Sequence, residues 1–265
     1  MSAEYVPPRP DGMHPATVPP TSASPDAGVT GRPRATWKVW EAMAVYLVAI
    51  LVGGLATVPL LQFVDDEDLA NLAASALAAV VIVGVLVVWL SSRHPTWIRV
   101  LGFPERGGWW REIRASIGFG LLLYPGIVFG VGLVVNLVLT TISGEQVQTP
   151  EQVPSGLSAV GVVVTVLYAI VIAPMHEELF FRGVLFRAAR DRYGLGAGLL
   201  ASGLGFGLIH YIDGAWQNAL LLMGVMFFNG IALAWWYDRR GTIAASVIAH
   251  MVFNVIGLIL IFTLG

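Results

Sequence analysis

Three short motifs place polar side chains inside long apolar runs of this chain. Charged or titratable groups are costly in a bilayer, so they are functional candidates by default. The first motif has two adjacent carboxylates and an arginine four residues after the second. The second has a phenylalanine and a histidine at the same spacing, and the third a histidine and an asparagine. These residues are Glu177, Glu178, Arg182, Phe206, His210, His250 and Asn254.

The first motif predicts two carboxylates with different partners. Glu178 and Arg182 are four residues apart, so on a helix they share a face and can pair. Glu177 is rotated from Glu178 by about 100°, so it faces another neighbour. Two adjacent carboxylates resist ionising together, which suits one of them to act as a general base or acid. The alternative is a structural acidic-basic patch at a helix end, near the lipid headgroups.

Each histidine motif has a functional and a structural interpretation. His210 ends an apolar run, where it either faces the interior or caps the helix. His250 is the one titratable group in a 25-residue run, and Asn254 lies one helical turn later on the same face. The alternative for His250 and Asn254 is a pair of interhelical hydrogen bonds, each of about 1 kcal/mol.

Two carboxylates and two imidazoles together can activate a water molecule. A glutamate accepts the water proton, one imidazole orients the water, and a second imidazole with an amide stabilises an oxyanion. Alternatively, glutamate and histidine side chains bind one Zn²⁺ that activates the water. Both routes lead to amide hydrolysis. The zinc motif H-E-x-x-H is absent, because Phe180 stands where the second histidine of a motif that begins at His176 would be.

The composition predicts that membrane helices position these residues. Of the 265 residues 56% are hydrophobic and only 12% are charged, against about 25% charged in soluble domains. The net charge of −2 provides no basic footprint for nucleic acid, and the absence of cysteine excludes disulfides and thiolate nucleophiles. Seven uncharged or nearly uncharged runs reach the length of a spanning helix: 42–64, 69–92, 115–144, 152–175, 193–209, 214–237 and 241–265.

We therefore predict an all-α, polytopic membrane protein with about seven transmembrane helices. Eight helices are the alternative count. The segment 96–113 either lies in the interface or starts the third helix early. With a cytoplasmic N-terminus, all fifteen Lys and Arg fall on the cytoplasmic side of a cell membrane, as the positive-inside rule requires. Residues 1–36 hold eight of the fifteen prolines and are predicted to form a disordered cytoplasmic tail before a transmembrane domain at 37–265.

The ordered set of three motifs resembles the CPBP family of intramembrane proteases. These are the CAAX-protease and bacteriocin-processing proteins, also called the Abi or type II CAAX prenyl endopeptidase family. The resemblance covers about residues 115–260, the predicted protease core, and implies a membrane-anchored protein or peptide as substrate. It implies that Glu177 and His210 activate the water, that His250 and Asn254 stabilise the oxyanion, and that Glu178, Arg182 and Phe206 complete the site.

The resemblance leaves two mechanisms and two other functions open. In one mechanism Glu177 acts without a metal. In the other, Zn²⁺ is held by Glu177, His210 and His250; no other cofactor is expected. The same polar residues could instead form the relay of a proton-coupled transporter. They could also hold together a membrane assembly protein that has no catalytic activity.

Overall fold

The computed structural model describes residues 32–64, 66–104, 108–148, 153 and 156–264. Of these residues 84% are helical and none lies in a strand. This confirms the predicted all-α class and a multi-pass membrane protein. The helices are α1 Val39–Phe63, α2 Glu67–Arg93, α3 Trp97–Leu101, α4 Trp109–Ser143, α5 Ala159–Tyr193, α6 Leu195–Leu208, α7 Trp216–Arg240 and α8 Ile243–Leu264.

Six of these helices are long and apolar enough to cross a membrane, and α3 and α6 are not. Helix α6 arises from the predicted run 193–209 but has only 14 residues. It is about 21 Å long, short of the roughly 30 Å of a bilayer core. The described part of segment 96–113 forms the five-residue α3 and the early start of α4, so it supplies no additional span.

Local sequence explains where two of the long helices begin. Asp66 precedes α2 and accepts a hydrogen bond from the backbone N–H of Leu69 at 3.0 Å. Ser158 precedes α5 and accepts one from Gly161 at 3.1 Å. Both side chains satisfy an N–H that the first helical turn leaves without an internal partner. The caps therefore set the starting point of α5, the helix that carries the first motif.

Glycines allow α6 to lie very close to two other helices. A Cβ atom at Gly207 would lie 2.7 Å from the carbonyl oxygen of Met223 on α7. A Cβ at Gly205 would lie 3.0 Å from the ring of Phe181 on α5. Any larger residue at Gly207 would collide with backbone that cannot move away. The glycines thus let α6 bring the second motif into the bundle interior.

Helix α5 departs from regular α-helical geometry around the first motif. The turns at Tyr168–Ile172 and Leu179–Phe186 are widened to π-helical geometry, and Pro174 lies between them. Such widened turns are often found at functional sites. Glu177 and Glu178 lie on the short α-helical stretch between the two widened turns.

A short N-terminal strap, residues 32–38, lies against the end of α5. The backbone oxygen of Pro33 accepts a hydrogen bond from Arg187 at 2.8 Å, and the backbone N–H of Ala35 donates to Asp191 at 2.9 Å. Trp37 is fully buried and its indole donates to the carbonyl of Val184 at 3.0 Å. Pro33 and Ala35 therefore contact the transmembrane domain. The predicted tail and its boundary at residue 36 stay predictions, and the other residues of the tail lie outside the described part.

Candidate active site

An ion pair between Glu178 and Arg182 is completely buried in the bundle. The Arg182 Nη1 and Glu178 Oε1 atoms are 2.9 Å apart, and neither side chain is exposed. The pair has the predicted spacing of four residues on α5. Arg182 also donates to the carbonyl of Gly230 on α7 at 3.3 Å, and its guanidinium lies 4.4 Å from the ring centre of Phe206. The cation is thus enclosed by a carboxylate, a carbonyl and an aromatic face.

His250 of α8 joins the two carboxylates of α5. Its Nδ1 lies 2.9 Å from Glu178 Oε1, and its Nε2 lies 3.7 Å from Glu177 Oε2. An ionised carboxylate can only accept a hydrogen bond, so in the shorter contact the proton is on Nδ1 of His250. The other ring nitrogen therefore points at Glu177. The structure brings together residues that are 72 positions apart in the chain.

The two adjacent glutamates have different surroundings. Glu178 interacts with Arg182 and His250 and lies near Ser246, a buried residue whose hydroxyl donates to the backbone oxygen of Ile243 at 3.1 Å. For Glu177, the one ion pair within 4 Å found among the described residues is that with His250 at 3.7 Å, and the Glu177 side chain is 11% exposed. Glu178 is therefore held in place, whereas Glu177 keeps a carboxylate that can meet a water molecule.

Sequence reasoning missed three polar neighbours of this pair. Ser246 lies one turn before His250, so its position on the same face of α8 was a usable signal. Tyr46 on α1 and Tyr168 on α5 both interact electrostatically with Glu177. Tyr46 lies in the first apolar run, where no motif marked it, and its ring stacks on Phe180 with ring centres 3.5 Å apart.

Phe206 is the aromatic centre of the site. It is fully buried, and its ring centre lies 4.7 Å from that of His210 and 5.6 Å from that of His250. The ring of Phe181 packs against it edge-on at 5.4 Å. The second motif therefore meets both other motifs through this one ring. We call Glu177, Glu178, Arg182, Phe206 and His250 the central cluster.

His210 lies at the edge of the central cluster, two residues after the end of α6. Its Nδ1 donates to the carbonyl of Phe206 at 2.7 Å, and the side chain is half-buried. Because the carbonyl can only accept, a neutral His210 presents an unprotonated Nε2. His210 makes no ion pair within 4 Å with a carboxylate of the described residues.

Asn254 contacts α5 from α8. Its Nδ2 donates to the backbone oxygen of Ala169 at 2.7 Å. That carbonyl belongs to the first widened turn of α5, about two turns before Glu177. One of the two N–H groups of Asn254 is thereby used, and the other is available.

Among the described residues, no group of three or more His, Cys, Asp or Glu side chains is arranged to hold a metal ion. Oε1 of Glu178 is already bound by Arg182 and by His250. The structure therefore does not assemble the predicted zinc ligands Glu177, His210 and His250, and zinc stays a prediction from the resemblance.

Comparison with known families agrees with the predicted resemblance. Residues 159–256 match a family model described as type II CAAX prenyl endopeptidase Rce1-like. The matched segment begins at the first residue of α5, extends well into α8 and contains all three motifs. It supports a protease of the intramembrane CAAX type. No curated protein and no solved structure matches the chain.

Proposed function

We propose, on the premise that residues 159–256 form a domain of the Rce1-like family, that this protein is an intramembrane endopeptidase. Its substrate is a membrane-anchored protein or peptide, and the lipid bilayer is its surroundings. The observation that supports this best is the contrast between the two adjacent carboxylates. Glu178 is held by Arg182 and His250, whereas Glu177 has no cation of comparable closeness among the described residues.

In this proposal Glu177 is the general base. It accepts a proton from a water molecule, whose oxygen then forms a bond to the carbonyl carbon of the scissile peptide. His210 helps to orient the water through its unprotonated Nε2. When the carbon–nitrogen bond breaks, Glu177 returns the proton to the leaving amine. A carboxylate positioned in this way contributes about 10²–10⁴-fold to a rate.

The oxyanion of the tetrahedral intermediate needs hydrogen-bond donors. A protonated His250 keeps one N–H on Glu178 and presents Nε2–H beside Glu177, where the attacked carbonyl would lie. Asn254 has a second amide N–H on the same face of α8. Donors aimed at the oxyanion contribute about 2.7–4 kcal/mol each in enzymes where one has been removed. Glu178 and Arg182 hold His250 in position.

A cleavage assay tests the proposal. The purified protein is offered a library of membrane-anchored peptides and compared with Glu177→Ala and His210→Ala. We expect cleavage by the wild type and loss of cleavage in both variants, with Glu112→Ala as a control away from the site. Cleavage that persists in both variants would overturn the assigned site. Proton-coupled flux into proteoliposomes, lost in the same variants and without cleavage, would indicate a transporter instead.

Metal analysis of active protein tests the alternative mechanism. The proposed glutamate mechanism requires activity without stoichiometric zinc. Zinc that is present at one equivalent and absent from His250→Ala would select the metal mechanism. The control is Asn136→Ala, because Asn136 lies on α4 outside the motifs.

We further propose that the N-terminus is cytoplasmic in a cell membrane. The distribution of Lys and Arg supports this orientation. A cysteine introduced as Asp66→Cys should react with an impermeant reagent from outside intact cells, and one introduced as Arg106→Cys should not. The opposite labelling pattern would reverse the orientation.

A further inference from the structure

One backbone carbonyl of α5 has lost its helical donor. In the widened turn the N–H of Ala173 donates to the oxygen of Tyr168, five residues earlier. The next bond of this pattern would run from residue 174 to Ala169. Pro174 has no N–H, so it cannot form that bond. A carbonyl without a donor is costly at membrane depth, because lipid offers no replacement hydrogen bond.

Asn254 supplies a donor at this point. Its Nδ2 lies 2.7 Å from the oxygen of Ala169, although the two residues are 85 positions apart. We infer that the Asn254 amide replaces the hydrogen bond that Pro174 removes, and that it is thereby a positioning residue for Glu177. We call the contact among Asn254, Ala169 and Pro174 the α5–α8 latch.

The location of the latch explains what it positions. Glu177 lies between the two points at which α8 is bound to α5, the latch at Ala169 and the His250 contact at Glu178. Without the latch, the widened turn and Pro174 would form a hinge directly before the proposed base. With it, the carboxylate of Glu177 keeps its place beside Nε2 of His250. This role rests on the proposed function, whereas the hydrogen-bond replacement does not.

A double-mutant cycle tests the replacement itself. The four proteins are wild type, Pro174→Ala, Asn254→Ala and the double variant, and the measurement is the midpoint of thermal unfolding in detergent. We expect Asn254→Ala to lower the midpoint by about 2–4 °C in the wild-type background. In the Pro174→Ala background the restored N–H provides a donor, so the same substitution should lower it by less than half as much. Equal losses in both backgrounds would overturn the latch.

A matched control separates this coupling from a general effect of Pro174→Ala. Asn136 on α4 also donates from Nδ2 to a backbone oxygen, that of Val147 at 3.0 Å. It has no proline-related role. Asn136→Ala should therefore lower the unfolding midpoint by the same amount in the wild-type background and in the Pro174→Ala background. A background-dependent effect of Asn136→Ala as large as that of Asn254→Ala would also overturn the latch.

Cleavage by the same four proteins tests the positioning role. At a temperature below all four midpoints, Asn254→Ala should reduce cleavage by about tenfold or more, because a small displacement of the base is costly. The double variant restores the backbone hydrogen bond but still lacks the Asn254 amide that is proposed to face the oxyanion. It should therefore recover the positioning part of this loss, about threefold or more, and not all of it. Recovery of stability without any recovery of cleavage would overturn positioning and leave Asn254 with the oxyanion role alone. If wild type does not cleave, the proposed function fails, and the unfolding cycle still decides the latch.

Discussion

Helix α5 carries two polar networks, and they differ in whether each carboxylate has a close cationic partner. The central cluster lies in the middle of the bundle. The second network lies near the end of α5, beside the N-terminal strap, and we call it the basic-end network. It consists of Arg187, Arg190, Asp191 and Asp238.

In the basic-end network both carboxylates have cations. Asp191 lies 2.9 Å from Arg187 and also accepts the backbone N–H of Ala35, and Asp238 is bound by Arg190 through two hydrogen bonds. In the central cluster, Arg182 pairs with Glu178, and the one ion pair of Glu177 found in the described part of the chain is the His250 contact at 3.7 Å. A buried charge therefore indicates catalysis only where a carboxylate remains available, and a balanced network indicates a structural role.

The largest expected effect is that of Glu177→Gln on cleavage. The amide keeps the shape of the side chain but cannot accept the proton, so the rate should fall by about 10²–10⁴-fold. The unfolding midpoint should change little, because Glu177 has no close ion pair among the described residues. Glu112→Gln is the control, since Glu112 pairs with Arg240 at 2.7 Å away from the central cluster and its loss should leave the rate per folded molecule unchanged.

Glu178→Gln should act on stability and not primarily on chemistry. It leaves the guanidinium of Arg182 buried without its 2.9 Å partner, and breaking such a pair costs about 3–5 kcal/mol. Folded yield after purification should drop well below that of Glu177→Gln. Equal yields of the two variants would show that the ion pair with Arg182 does not make Glu178 more important for stability than Glu177.

Asp191→Asn probes the balanced network. The substitution removes the charge that faces Arg187 while it preserves an oxygen for the N–H of Ala35. We expect a loss of about 1–3 kcal/mol in the free energy of unfolding. Cleavage per folded molecule should be unchanged. A tenfold loss of cleavage with intact stability would contradict a purely structural role for this network.

Trp37→Phe tests the strap with a smaller change. A phenyl ring replaces the indole, so the hydrogen bond from the indole N–H to Val184 is lost, which costs about 1 kcal/mol. The midpoint of unfolding should fall by about 2–4 °C. Trp110→Phe is the matched control, because Trp110 is 74% exposed and its replacement should have no such effect. Equal shifts in the two variants would show that the hydrogen bond from Trp37 to Val184 does not hold the strap against α5.

The smallest expected effect is a pH dependence at His94, which contacts the strap through Thr36 at 2.7 Å. Burial lowers the pKa of His94, while Glu41 raises it and Arg93 lowers it further. As the pH falls below about 6.5, the unfolded chain therefore takes up a proton before the folded chain does, and stability decreases. The midpoint should drop slightly between pH 7.5 and 5.5 in wild type and less in His94→Gln. Equal drops would exclude His94 as the cause.

Sequence reasoning reached much of the fold because membrane helices leave strong local signals. Continuous apolar runs predicted the six long helices and the presence of a helix at α6. The run 193–209 has 17 residues, at the lower limit for a span, and the helix α6 that it forms has only 14. Sequence reasoning placed residues 32–36 in the tail, because proline-rich composition conceals the contacts of Pro33 and Ala35 with α5.

Within the candidate site, local spacing and tertiary contacts contributed different information. The spacing of four residues predicted the pair of Glu178 and Arg182, since neighbours on one helix are determined by helical geometry alone. It did not predict Ser246 or the latch at Ala169, because those depend on how α8 packs against α5. The roles assigned to His210 and Asn254 stay predictions until the cleavage assays are made.

The sequence by itself determined that this chain lies in a membrane as a helical bundle, with a few costly polar groups in its apolar bulk. It also determined which of them are neighbours on α5. Only the tertiary structure decided that His250 of α8 meets Glu178 at 2.9 Å, whereas its distance from Glu177 is 3.7 Å. The physical reason is that helical periodicity relates only residues a few positions apart. The partner of a buried charge depends on packing between helices, here between two residues 72 positions apart.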